Sequence, residues 1–128
     1  MSVRSLAWDC SDEVGQDVDN PSWENVEAEI LRMDGQRYTA VGMILDDHHN
    51  MMIGGGGEHY TLGICDANNG VSYLKNINGS PDKDIWINAG QGSDYPEEIV
   101  VALPDVLKAA RYYFEHNKAD PRLQWTDW

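Results

Sequence analysis

Positive charge is scarce in this sequence for its size. Lysine and arginine number 9 against 22 aspartates and glutamates in 128 residues, a formal net charge of −13. Such a chain is repelled by nucleic-acid phosphates and by anionic membranes, so neither is expected as a partner. It attracts a basic partner and speeds the encounter, although the same charge also serves solubility alone. Cysteine is sparser still, with two residues. Cys10 and Cys65 belong to no CxxC and to no zinc-ligand spacing, which excludes a disulfide scaffold and leaves two buried free thiols or a single disulfide as the readings. No apolar run approaches the ~20 residues that a bilayer span requires. The opening MSVRSLAWDC has one arginine followed by acids, unlike a secretory leader, so the expected location is the cytoplasm.

What remains after these exclusions is a chain of one-domain length, 1–128, able to bury a core unaided. Residues 3–9 alternate as a short strand, and CSDEVGQDVDN (10–20) is acidic and contains glycine, as a loop does. Asn20-Pro21 supplies a cap and a first helical position, and Trp23, Val26, Ile30 and Met33 follow at helical spacing until Asp34-Gly35. The period then drops to two. Strands are expected at 38–45, from 51, at 58–66, 71–77, 85–88 and 98–102, with 89–96 as a loop. Pro104 opens a second helix ending near Asn117, and Leu123, Trp125 and Trp128 in the tail are apolar enough to dock back on the body. The expected fold is α+β: an antiparallel meander of about five to seven strands with two helices packed on one face.

Chemistry is harder to find. Gly54-Gly55-Gly56-Gly57 lacks the lysine and the following helix of a phosphate loop, and reads instead as a bend or bulge where glycine admits a close neighbour. His48, His49, Glu58 and His59 are the one set that a metal site or small enzyme could use, yet they form no zinc motif, and the reading preferred for them is surface or turn residues. No nucleophile elbow is present, and Cys65 is followed by Asp66, which disfavours a thiolate. No cofactor is called for. Carboxylate pairs such as Asp46-Asp47 and Glu97-Glu98 are too common here to single out an acid–base pair. Trp8, Trp23, Trp125 and Trp128 are assigned to the core, whereas Tyr73 and Trp86 lie on strands whose other face is free to bind protein.

A pattern runs through these parts: the helix opening PSWENVEAEI, then MMIGGGGEHYTLGI, the IWIN strand, and EEIVVALPDVLKAARYYFEHNKADPRLQW with its terminal tryptophan. Over residues 20–126 it resembles immunity protein family one of the bacterial polymorphic toxin systems. The glycine run is longer than the family pattern, and the acidic segment 1–19 lies outside it. The resemblance implies a non-enzymatic protein of interbacterial competition that binds a cognate toxin domain, often a nucleic-acid deaminase, and covers its active site or nucleic-acid groove. In a meander, alternate turns share one end of the sheet. The turns at 46–50, 66–70 and 89–96 would then gather Asp46, Asp47, Asp66, Asp94 and Tyr95 into an acidic contact edge, with Tyr73 and Trp86 as aromatic anchors.

Overall fold

Ser22, rather than Asn20, caps the first helix. Its hydroxyl accepts the Asn25 amide at 3.2 Å while the Asn25 side chain accepts the Ser22 amide at 2.9 Å. This reciprocal pair satisfies two of the amides that a helix start leaves unpaired. Asn20 instead takes a left-handed turn (φ 50°) ahead of Pro21. The computed structural model describes residues 3–10, 13–68, 70–89 and 92–127, the side chains of 10 and 13–15 excepted. In chain order the elements are β1 (Ser5–Cys10), β2 (Glu13–Asp19), α1 (Trp23–Arg32), β3 (Ala40–Asp46), β4 (His49–Gly56), β5 (His59–Asp66), β6 (Gly70–Leu74), β7 (Asp84–Asn88), β8 (Gly92–Pro96), α2 (Leu103–His116) and β9 (Trp125–Thr126).

Seven strands form one antiparallel sheet in the order β2-β1-β3-β4-β5-β6-β9, and β7 and β8 form a separate hairpin. Both helices cover one face, as the α+β reading requires. Leu6, Met43, Met51, Ile53 and Leu62 point from the sheet toward Val26 and Ile30 of α1 and toward Val106, Ala110 and Tyr113 of α2 in a single core. Trp8, Trp23 and Trp125 pack against that core half-buried, and Trp128 lies outside the described residues. The docked tail is real: β9 pairs with β6, and the Trp125 indole donates to the Asp120 carbonyl at 3.0 Å. Among the described residues no helix is long and apolar enough to cross a membrane.

Three expectations need correction. Within the supposed loop 10–20, residues 13–19 form β2, the outer edge of the sheet. An edge strand faces solvent, so it can be built from acids without any apolar alternation, and those acids guard its unpaired backbone. Within the supposed loop 89–96, β8 pairs with β7; its Gly, Ser and Asp have low strand propensity, and pairing decided the outcome. The supposed strand 98–102 is a turn of 3-10 helix, Glu97–Ile99, followed by an isolated bridge from Val101 to Tyr60. Ile99, Val100 and Val101 are all buried, which an alternating strand with one solvated face cannot achieve. The N-terminal segment is also integral to the body, since β1 lies between β2 and β3, and Val3 and Leu6 join the core.

The glycine run sits inside a strand rather than in a wide bend. Gly54, Gly55 and Gly56 pair in register with Thr61, Tyr60 and His59, and Gly57-Glu58 closes a two-residue hairpin. Positive φ at Gly57 (74°) ahead of Glu58 suits the tight turn type that fits strand twist. The other three admit neighbours. A side chain at Gly54 would meet Ala89 of the β7–β8 hairpin, and one at Gly56 would meet the backbone of Met33, Asp34 and Gly35. The run is the seam where the hairpin and the α1–β3 turn rest on β4.

Candidate protein-docking surface

Two of the expected turns do converge. The β3–β4 turn and the β5–β6 turn lie at the same end of the sheet because β4 and β5 pair from His49↔Asp66 onward. His49 joins them: Nδ1 lies 2.8 Å from Asp46 Oδ1, and Nε2 lies 3.6 Å from Asp66 Oδ1. Asp46 Oδ1 also accepts the His48 amide at 2.8 Å, and Asp66 Oδ1 accepts the Asn68 amide at 2.9 Å. Asp47 stands exposed beside them. Asp46, Asp47 and Asp66 therefore form an acidic edge with one imidazole at its centre.

The amide of His48 first, then the ring of His49, hold Asp46 below its ordinary carboxylate value. The hydrogen bond to Asp46 first, with the charges of Asp46 and Asp66 adding, holds His49 above the ordinary 6.5 against partial desolvation. The raised histidine stabilises the fold fully below 6.5, and that contribution is lost as pH rises through the higher folded value. The depressed carboxylate contributes above 3.8 and loses its contribution as pH falls through the lower folded value. The melting-temperature advantage of the native chain over His49→Gln should therefore be largest near about pH 5.5 and shrink by about pH 8.5. An advantage that stays constant across this range would rule out a charged clasp.

The 89–96 segment is not part of this edge. The β7–β8 hairpin rests on Gly54 and Gly55, roughly 17 Å along β4 from His49 at a strand rise of about 3.3 Å per residue. Asp94 and Tyr95 are therefore parted from Asp46, Asp47 and Asp66, because residues 75–83 carry the chain out of the meander before the hairpin forms. Asp94 pairs across the hairpin with Trp86, which is 63% exposed and lies over Gly92. Tyr95 instead shares with Tyr73 the lining of a cavity of about 280 Å³ on the sheet face that the helices leave open. The seven expected site residues thus fall into three places, an acidic edge, a Trp86–Asp94 pair and a tyrosine-walled hollow. His48 and His49 lie at one end of β4 and Glu58 and His59 at the other, so the fold does not assemble the metal alternative.

The open face holds what the sequence reading missed. Directly opposed residues of antiparallel strands share a face. One row runs Ala7, Gly42, Met52, Gly63, Tyr73, and the next runs Ser5, Ile44, Asn50, Cys65, Val71. Neither row contains a charged residue, in a chain where 24% of residues are charged. An antiparallel sheet with one solvated face ordinarily turns polar residues to that side. Met52 and Val71 are exposed here, and Cys65 is a half-buried free thiol, whereas the Cys10 side chain lies outside the described residues. A second hollow of about 440 Å³, bounded by Trp8, Asp9, Gln16, Asp17, Ile44 and Met52, adjoins the first across Ala40 and Met52. Asp9 is occupied, its carboxylate accepting the Thr39 amide and hydroxyl at 2.8 and 2.6 Å and the Ala40 amide at 2.8 Å. The signal was present as a missing one: the open-side positions of β3 to β6 carry no charge. Compared with known proteins, the chain matches no family model and no curated protein.

Proposed function

We propose that this chain is an immunity protein: it binds and neutralises a cognate bacterial toxin domain, a nucleic-acid deaminase, in the cytoplasm of the producing cell. The observation that carries the proposal is the charge of −13 together with the gathering of Asp46, Asp47 and Asp66 at one end of the sheet. A deaminase must draw a nucleic-acid strand along a basic groove and admit one base to a pocket. Carboxylates can occupy the lysines and arginines of that groove in place of phosphates, and like-charged nucleic acid is then turned away. Exposed ion pairs contribute little each, so tight binding also requires a buried apolar anchor. The resemblance over residues 20–126 supports a toxin as the target.

The test is a pull-down with the toxin domain encoded by the adjacent gene, at low and at high salt. Retention that weakens with salt is expected, because surface charge is screened within about 10 Å at 0.1 M salt. Retention indifferent to salt would keep the inhibitor and move its binding energy to apolar contacts. No retention at either salt would reject this partner.

A further inference from the structure

We infer that the uncharged open face of the sheet, centred on Met52, is where the basic partner seats an apolar segment flanked by lysine or arginine. This rests on the inhibitor reading above and supplies the apolar anchor that the acidic edge alone lacks. Met52 stands between two glycines, Gly42 on β3 and Gly63 on β5, each its direct cross-strand neighbour. Neither glycine has a positive φ, so the backbone itself does not require glycine at these positions. Glycine inside a strand is unfavourable by about 0.5–1 kcal/mol relative to alanine, and such glycines mark places where something approaches the sheet closely. Here the Met52 sulfur lies over Gly42, 2.7 Å from where a Cβ would stand, and the Tyr73 ring lies over Gly63 at 3.1 Å. The floor is therefore low, and the groups upon it are one flexible thioether and one ring. Methionine is polarisable and readily changes shape, which suits a surface that must mould to another protein.

Charge selects the occupant. Beyond Ala7 and Ser5 the two rows end on Asp17 and Asp19 of the edge strand β2. An apolar plug entering between them and Tyr73 meets carboxylates at one margin, which lysine or arginine on the partner would satisfy. A second copy of the chain would bring a further charge of −13 to the same face and be repelled. Size adds a constraint. Five strands about 4.8 Å apart and four residues long make a patch of roughly 24 by 13 Å, about two fifths of the ~800 Å² per partner in a standard interface. The partner must therefore also cover the margins, including β2 and the Tyr95 side.

Methionine oxidation reads this face without any mutation. Met52 is 49% exposed, whereas Met43 and Met51 are 0% exposed and Met33 is 4% exposed, so the molecule holds its own controls. Dilute hydrogen peroxide is applied to the free chain and to the chain saturated with the inactivated toxin domain, and the sulfoxides are mapped by mass spectrometry. The expected result is rapid oxidation of Met52 in the free chain, at least about tenfold slowing in the complex, and little oxidation at Met43 and Met51 in either. Met52→Arg should weaken binding on the order of thirtyfold, the loss expected of an interface hot spot. Asp46→Asn/Asp47→Asn/Asp66→Asn should cost only a few-fold. A complex that leaves Met52 as reactive as in the free chain would overturn this surface while the inhibitor reading stands. Protection in the free chain at a dimer's mass would make a second copy the occupant and overturn the basic one. Absence of any complex would reject the inhibitor reading for that partner and this surface with it.

Discussion

Replacing Gly56 with alanine should cost about 3 kcal/mol or more of folding stability. Two penalties coincide there. The residue has φ 137°, a conformation that L side chains avoid, and a Cβ would stand 2.4 Å from the Gly35 nitrogen, 2.7 Å from the Asp34 nitrogen and 2.8 Å from the Met33 carbonyl carbon. All three are backbone atoms, so no side-chain rotation relieves the overlap. The amides being pushed are themselves engaged: Asp34 and Gly35 donate to the Tyr38 carbonyl at 3.1 and 3.3 Å. The Asp34 carboxylate fastens the same turn by accepting the amides of Gln36 and Arg37 at 2.9 Å and Tyr38 at 3.1 Å. Those amide bonds, Gln36 first and Tyr38 next, hold its pKa below the ordinary carboxylate value. Gly70 provides the control, with φ 76° but nothing within 4 Å of an added Cβ. Gly70→Ala should cost only about 1 kcal/mol, the backbone share alone. Urea unfolding of the two variants separates the terms. Equal losses would mean that crowding at Gly56 contributes nothing, against the geometry.

The glycine run shows how far sequence reading reaches here. Four consecutive glycines were legible as a place of close approach, because no phosphate-binding partner accompanies them. What approaches was not legible, since Ala89 and Asp34 lie far away in sequence and meet the run only through the sheet register. The two helices and the strands β3 to β6 followed from periodicity, which local spacing carries. Edge strand β2 did not, because strands made at an edge need no apolar stripe. The buried run 99–101 misled for the opposite reason: continuous burial has no period from which to tell a strand from a 3-10 turn.

The acidic edge was half legible. Turn chemistry placed Asp46 and Asp66, and the alternation of a meander brought them to one end. Asp94 and Tyr95 went astray because the meander stops at β6, a topological fact that no local pattern announces. The open face was legible in principle and missed in practice. Charged residues mark the acidic edge, whereas the open face is marked by a two-residue period from which charge is absent.

Tyr113→Ala should remove about 3–5 kcal/mol, enough to unfold a sizeable fraction of a domain whose whole stability is of the order of 5–15 kcal/mol. Tyr113 is 1% exposed and is the largest fully buried side chain in the described residues. It lies on the sheet-facing side of α2, where it borders a hollow with His49, Ile64 and Asp66. Truncation leaves a void beneath the clasp that joins the β3–β4 and β5–β6 turns, so the acidic edge should loosen with the core. Met52 points from the opposite face and should keep its oxidation rate in whatever fraction stays folded. Tyr113→Phe separates packing from the hydroxyl. Burial first, then the negative charges of Asp46 and Asp66, push the phenol well above the ordinary value of 10. The folded chain thus retains a proton that the unfolded chain releases, and stability must fall as pH rises past 10. Tyr113→Phe lacks that proton, so its alkaline unfolding midpoint should lie above that of the native chain even if it is slightly less stable at neutral pH. An unchanged or lower alkaline midpoint would show that Tyr113 ionises freely in the folded chain, and would place its ring at the surface instead of beneath the turns.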